Sequence, residues 1–164
     1  MTLEPDFRAF LKVLGSHRVR FVLVGAFAVV HEGYVRTTGD MDVWVYPDAE
    51  NARRVIDALG DFGFSSLGLS ASDILSGNVI QLGRPPVRID ILTSLSGVTT
   101  AEVWRGRVKG TLEGVRVFFL GRATLLKNKR ASGRLKDLAD LEGLGESPRS
   151  PRKKAGRRKA QKAA

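Results

Sequence analysis

Val22-Leu23-Val24-Gly25-Ala26 and, ten residues on, Arg36-Thr37-Thr38-Gly39-Asp40-Met41-Asp42-Val43-Trp44-Val45 are the stretches from which the fold is read. Arg20 to Val24 is a short apolar run rich in β-branched residues, as a buried strand requires. Gly25 breaks it, and Ala26 to Glu32 has the composition of a short helix ended by Gly33. Met41 to Tyr46 then alternates: Met41, Val43 and Val45 share one face, and Asp40, Asp42, Trp44 and Tyr46 the other. Arg36 and Thr38 continue the second face upstream, and Pro47 ends the strand.

Outward from this stretch, Pro5 opens an amphipathic helix over 5–17, with Phe7, Phe10, Leu11 and Leu14 on one face. Asp48 is a good N-cap for a helix striped by Ala52, Val55, Ile56 and Leu59 and stopped at Gly60. Residues 61–78 are irregular; Phe62 and Phe64 are expected to pack, and Ser70 to cap a helical turn. Val79 to Leu82 and Val87 to Leu92 predict antiparallel strands around Gly83-Arg84-Pro85-Pro86. Arg107 to Thr111 and Val115 to Leu120 predict a second pair. Two helices follow, over 122–132 and 135–144, with Gly133 between them and Leu135, Leu138 and Leu141 as the apolar edge of the last. The order implies an α/β (α+β) domain over residues 1–144, a mixed β-sheet flanked by helices.

Composition narrows the chemistry. Apolar residues make up 43% of the 164, enough for one ordinary core. There is no cysteine and there are only two histidines, His17 and His31, so thiolate and imidazole zinc sites are excluded. The run from Phe21 to Val30 is too short for a membrane span. The first residues, with Glu4, Asp6 and Arg8, do not read as a secretory signal, so a cytoplasmic protein is expected. Of the net charge of +10, residues 145–164 carry +7, from eight basic residues and Glu146. With Pro148, Pro151 and no large apolar residue, this segment is expected to be a disordered basic tail. It either holds RNA or DNA through phosphate contacts or is a solvated extension.

Three aspartates carry the chemical signal. Aspartate is depleted in strands, yet Asp40 and Asp42 project from the same face of one. Two carboxylates so close repel each other unless a cation lies between them. Arg88-Ile89-Asp90-Ile91-Leu92 repeats the anomaly in another strand. Asp90 is either salt-bridged, to Arg88 or another arginine, or a third ligand converging on the pair. Three such carboxylates suit magnesium, or manganese in its place, with substrate phosphates completing the shell. The Gly25-Ala26 junction offers backbone N–H groups at a helix start, as phosphate binding needs, although such junctions are commonly structural. Trp44 and Tyr46 either stack on a base or pack the sheet, and His31 is expected to pack or cap its helix.

These residues resemble the nucleotidyltransferase superfamily of DNA polymerase β-like enzymes: Val24-Gly25-Ala26, Arg36 to Asp42, and the later strand aspartate, Asp90. The resemblance is nearest to its small prokaryotic branch of AbiEii-type toxins and minimal nucleotidyltransferases. It extends to the C-terminal run from Leu126 to Leu141, where a lysine-bearing helix precedes Arg134-Leu135-Lys136-Asp137-Leu138-Ala139-Asp140-Leu141. The resemblance implies a nucleotidyltransferase fold with Asp40, Asp42 and Asp90 catalytic and metal-binding. It implies Gly25 and Ala26 cradling phosphate, Lys129 facing the nucleotide, and Asp137 as the later acidic position. Arg36 and Thr38 join the nucleotide-binding set from their place on the acidic face. Ala26 departs from the usual Gly-Gly or Gly-Ser turn and removes a serine hydroxyl. Lys129, Arg130 and Arg134 have an alternative as a solvated face pairing with Asp137 and Asp140 at helical spacing.

The expected function is magnesium-dependent transfer of a nucleoside monophosphate from an NTP to a hydroxyl of RNA, such as a tRNA end, or of a partner protein. A toxin–antitoxin or defence role is implied by the resemblance alone. The alternatives are a catalytically weak module that binds nucleotide, nucleic acid or a partner protein, and a nucleic-acid binder acting through its tail.

Overall fold

The computed structural model describes residues 3–37 and 39–149. Thr38 and most of the basic tail therefore lie outside the described residues. Thirteen elements form the frame. They are α1 (Pro5–Ser16), β1 (Phe21–Val24), α2 (Gly25–His31), β2 (Asp40–Val45), α3 (Ala49–Leu59), α4 (Ala71–Leu75), β3 (Ile80–Arg84), β4 (Val87–Leu92), α5 (Thr100–Arg105), β5 (Val108–Leu112), β6 (Val115–Phe119), α6 (Arg122–Ser132) and α7 (Leu135–Gly143). The strands form one mixed sheet in the order β3-β4-β2-β1-β6-β5. β1 runs antiparallel to β2 and parallel to β6, and β2 runs parallel to β4.

The alternation expected of β2 places a core on each face of the sheet. Met41, Val43 and Val45 join Phe7, Phe10, Leu11, Leu14 and Val55 on the face covered by α1, α3 and α4. Trp44 turns to the other face with Val22, Val24, Ala28, Val29, Val103 and Leu125, under α2, α5 and α6. Each fully buried large apolar side chain contributes about 1.5–3 kcal/mol, so the two cores carry the stability of the fold. Asp48 caps α3 by accepting from the Asn51 N–H at 2.8 Å. The buried Asn51 amide in turn binds Arg20 N, Arg20 O and Tyr46 O, tying α3 to the ends of β1 and β2.

The structure decides some readings left open and corrects others. Trp44 is fully buried and donates its indole N–H to Thr93 O at 3.2 Å, so it packs the sheet and is closed to a base. β2 begins at Asp40, and Arg36 lies ahead of it in a connecting segment outside the strand. α5 was not expected: it opens with a capping box between Thr99 and Glu102 and brings Trp104 against Tyr46 and Phe118. In α7 the expected apolar edge holds at Leu141 but not at Leu135. Leu135 is 87% exposed, while Asp137 and Asp140, each 1% exposed, face inward beside Leu141. His31 stacks flat on Phe119, with ring centroids 4.0 Å apart. Past α7, Glu146 pairs with Arg122 and Arg130, so contacts with the body run three residues beyond the expected boundary to Ser147.

Candidate active site

The strand register brings the sequence anomalies together. Val24, the last residue of β1, lies opposite Asp42 of β2. Asp42 lies opposite Asp90 of β4, and Asp40 opposite Arg88. A cavity of about 550 Å³ opens over this end of the sheet, within the range of small-molecule sites. Gly25, Ala26, Asp40, Asp42 and Asp90 all line it, together with Arg36 and Lys129 from the opposite wall.

Gly25 explains why the turn is built as it is. Its φ of +61° is the left-handed region, and a Cβ there would collide with the Asp42 carboxylate. Only glycine lets β1 turn into α2 while Asp42 stands against the backbone. Val24, the residue capping α2, supplies no side-chain hydrogen bond, so the first-turn donors keep capacity for another acceptor. Gly25→Ala is expected to cost about 1–3 kcal/mol from left-handed strain and displacement of the carboxylate. Gly133 has a φ of +63° and no side chain within 4 Å of its would-be Cβ, so Gly133→Ala isolates the strain alone. Denaturant unfolding of both variants checks this; equal losses would mean that the contact with Asp42 carries no weight.

The three carboxylates differ in their partners. Arg88 clasps Asp90 with two hydrogen bonds, Nε to Oδ1 and Nη2 to Oδ2, both 3.1 Å. The same Nη2 lies 3.1 Å from Oδ2 of Asp40. Both alternatives considered for Asp90 are therefore present together: a salt bridge to Arg88 and a place beside Asp42. Asp42 itself has no basic side chain within ion-pair distance among the described residues. Its burial first, and then the nearby Asp90 and Asp40 charges, push its carboxyl up from 3.8 to about 6. A negative charge at Asp42 is unfavourable as the site stands.

Besides Arg88, four cationic residues line the cavity: Arg36, Lys129, Arg134 and Lys136. Lys129 is 5% exposed, and its Nζ lies 3.0 Å from Oδ1 of Asp137 and 3.0 Å from Oδ2 of Asp140. Arg36 pairs with Asp140, and Arg134 donates to Asp137 at 2.8 Å. Burial alone would raise the Asp137 carboxyl, but hydrogen bonds from Arg134 and Lys129 overcome it and hold the group at about 2. Asp137 is thus not brought to the cavity. It sits behind the wall and fixes Lys129; the pairing considered for this cluster is present for Lys129 and Arg134, but Lys129, Asp137 and Asp140 are buried rather than on a solvated face. Thr38 lies outside the described residues. Three cavity residues were missed as site residues in their own right. Arg88 was read only as a partner of Asp90, although it sits two residues away on the same strand face. Lys136 and Asn128 had no signal beyond their place in the C-terminal run.

Whether the site suits magnesium is decided by its donors. Three hard carboxylate oxygens from facing registers, one of them uncompensated, match what that ion takes. Among the described residues, however, no three acids stand gathered as a ready metal cluster. Arg88 pairs with two of the three, Asp40 and Asp90. The residues fit the ion in kind, as hard carboxylate donors lining one cavity.

In sequence, the chain matches no family model and no curated protein. In structure, it is similar to a candidate nucleotidyltransferase of Thermotoga maritima, with a TM-score of 0.53 at 14% identity, over 86% of this chain and 93% of that one. That likeness establishes the fold as nucleotidyltransferase-like, a six-stranded mixed sheet flanked by helices. No helix among the described residues is long and apolar enough to cross a membrane.

Proposed function

We propose that the chain is a magnesium-dependent nucleotidyltransferase that moves a nucleoside monophosphate from an NTP to a hydroxyl of RNA, such as a tRNA end, or of a partner protein. One observation carries this: Asp42, flanked by Asp40 and Asp90 and with no ion-pair partner among the described residues, stands at the Gly25 turn inside a nucleotide-sized cavity. Asp40, Asp42 and Asp90 would hold the metal, which supplies positive charge against the triphosphate and its leaving pyrophosphate. The backbone of Gly25 and Ala26 holds phosphate at the start of α2. The charges of Arg36 and Lys129 face the same space and favour the charge that develops on the departing group. An acceptor hydroxyl attacks the α-phosphorus, the bond to the bridging oxygen of pyrophosphate breaks, and the acceptor proton passes to a carboxylate of the set, Asp90 in the first instance. The basic segment 145–164 would hold a nucleic-acid acceptor by its phosphates. Membership of the AbiEii-type branch, with a toxin–antitoxin or defence role, is the finer part of the proposal.

The second reading, a nucleotide- or partner-binding module with weak catalysis, is favoured by Arg88 on Asp40 and Asp90 and by Ala26 in the turn. One experiment separates the two. The full chain is incubated with each α-labelled NTP, magnesium, and either total tRNA or a protein extract. Label transfer that EDTA abolishes is the expected result. Calorimetric binding of NTP and magnesium without transfer would leave the module, and no binding at all would overturn both.

A further inference from the structure

We infer that Arg88 is the resident counter-cation of the carboxylate site, and that a divalent ion enters only by displacing its guanidinium from Asp40 and Asp90. The inference rests on the metal-binding role proposed above and goes beyond it by assigning a competitor within the chain.

The geometry is specific. One nitrogen, Nη2, bridges two carboxylates on adjacent strands at 3.1 Å each, and Nε completes a fork on Asp90. Forked arginine–carboxylate pairs are the strong kind, and Asp90, the forked partner, is 8% exposed. A guanidinium and a divalent ion on the same oxygens repel each other, so occupation by one opposes the other, and the opposition is reciprocal. The Arg88 side chain, 31% exposed, forms no other ion pair among the described residues and lines the cavity. Once released it remains where a polyphosphate would lie, and its planar fork suits phosphate oxygens. The consequence is an order of loading: an ion alone binds weakly, and ion with triphosphate binds well, because the triphosphate offers Arg88 a new partner.

The test is manganese binding to the full chain, followed by electron paramagnetic resonance, for wild type, Arg88→Met and Arg88→Lys. Arg88→Met is expected to bind manganese alone at least about tenfold more tightly than wild type, with Arg88→Lys between them. Arg88→Met should also melt below wild type in EDTA and gain more than wild type on adding manganese. Should Arg88→Met fail to fold without metal, Arg88→Lys carries the same comparison. Wild-type binding with no gain in either variant would overturn the role of Arg88 and leave the metal site standing. Absence of manganese binding in all three, with or without triphosphate, would overturn the metal site and the inference together.

Discussion

Asp42→Asn is expected to make the protein more stable at pH 7, by about 1–3 kcal/mol, while reducing nucleotidyl transfer at least about 10²-fold. The two effects have one cause. In the folded chain Asp42 titrates at about 6 rather than 3.8, because it is buried beside Asp90 and Asp40. Between those values the folded state binds more protons than the unfolded one, so stability falls as pH rises through that window. Below about pH 4 the residue is protonated in both states and carries no cost; above about pH 6 the cost is complete. The gain from Asp42→Asn should therefore vanish near pH 4 and be full at pH 7, as melting curves across that range would record. The amide lacks the charge that attracts a cation, which accounts for the lost transfer. Magnesium with nucleotide should narrow the stability gap, because it relieves in the wild type what the substitution removes. A variant less stable than wild type at pH 7 would mean that Asp42 is already compensated.

Asp140→Ala is expected to destabilise the fold by about 3–5 kcal/mol, as breaking a buried ion pair does. Asp140 is 1% exposed and answers both Lys129 and Arg36, and its loss leaves the Arg36 guanidinium without its carboxylate. Among the described residues, Nε of Arg36 and Oδ2 of Asp140 have no hydrogen-bond partner of good geometry, so the network has no spare partner to take up the loss. Leu135→Ala, on the same helix, is expected to change stability by less than about 0.5 kcal/mol, since that leucine is 87% exposed. Urea unfolding of the pair checks the contrast. If the leucine mattered more than the acid, the helix would be packed as its apolar pattern suggests and not as described here.

That contrast shows where the sequence is legible. Where burial follows hydrophobicity the pattern is read directly: Met41, Val43 and Val45 alternate with Asp42 and Trp44, and the strands fall where expected. The juxtaposition of Asp42 with Asp90 was legible as an anomaly, two charged residues in apolar strands, although only the register settles that they are neighbours. α7 was misread because periodicity ranks residues by apolarity and carries no information about partners. Asp137 and Asp140 are inside because Lys129 of α6 and Arg36, from ahead of β2, meet them there, with Arg134 at the start of α7 adding a local partner. α5 was missed because one turn and a half with a single buried apolar residue, Val103, gives too little period to see, although Thr99-x-x-Glu102 marks its start. Arg88 was legible as a salt-bridge partner of Asp90. Its simultaneous hold on Asp40 depends on the parallel pairing of β2 and β4, which lies outside the reach of local pattern.

The charge state of Asp42 offers the most direct trial, through a ¹³C carboxyl titration by NMR without and with magnesium and a non-hydrolysable NTP analogue. A midpoint near 6 that falls back toward the ordinary carboxylate range on adding metal and nucleotide is the predicted result. A midpoint already in the ordinary range, indifferent to magnesium, would contradict the account at its base.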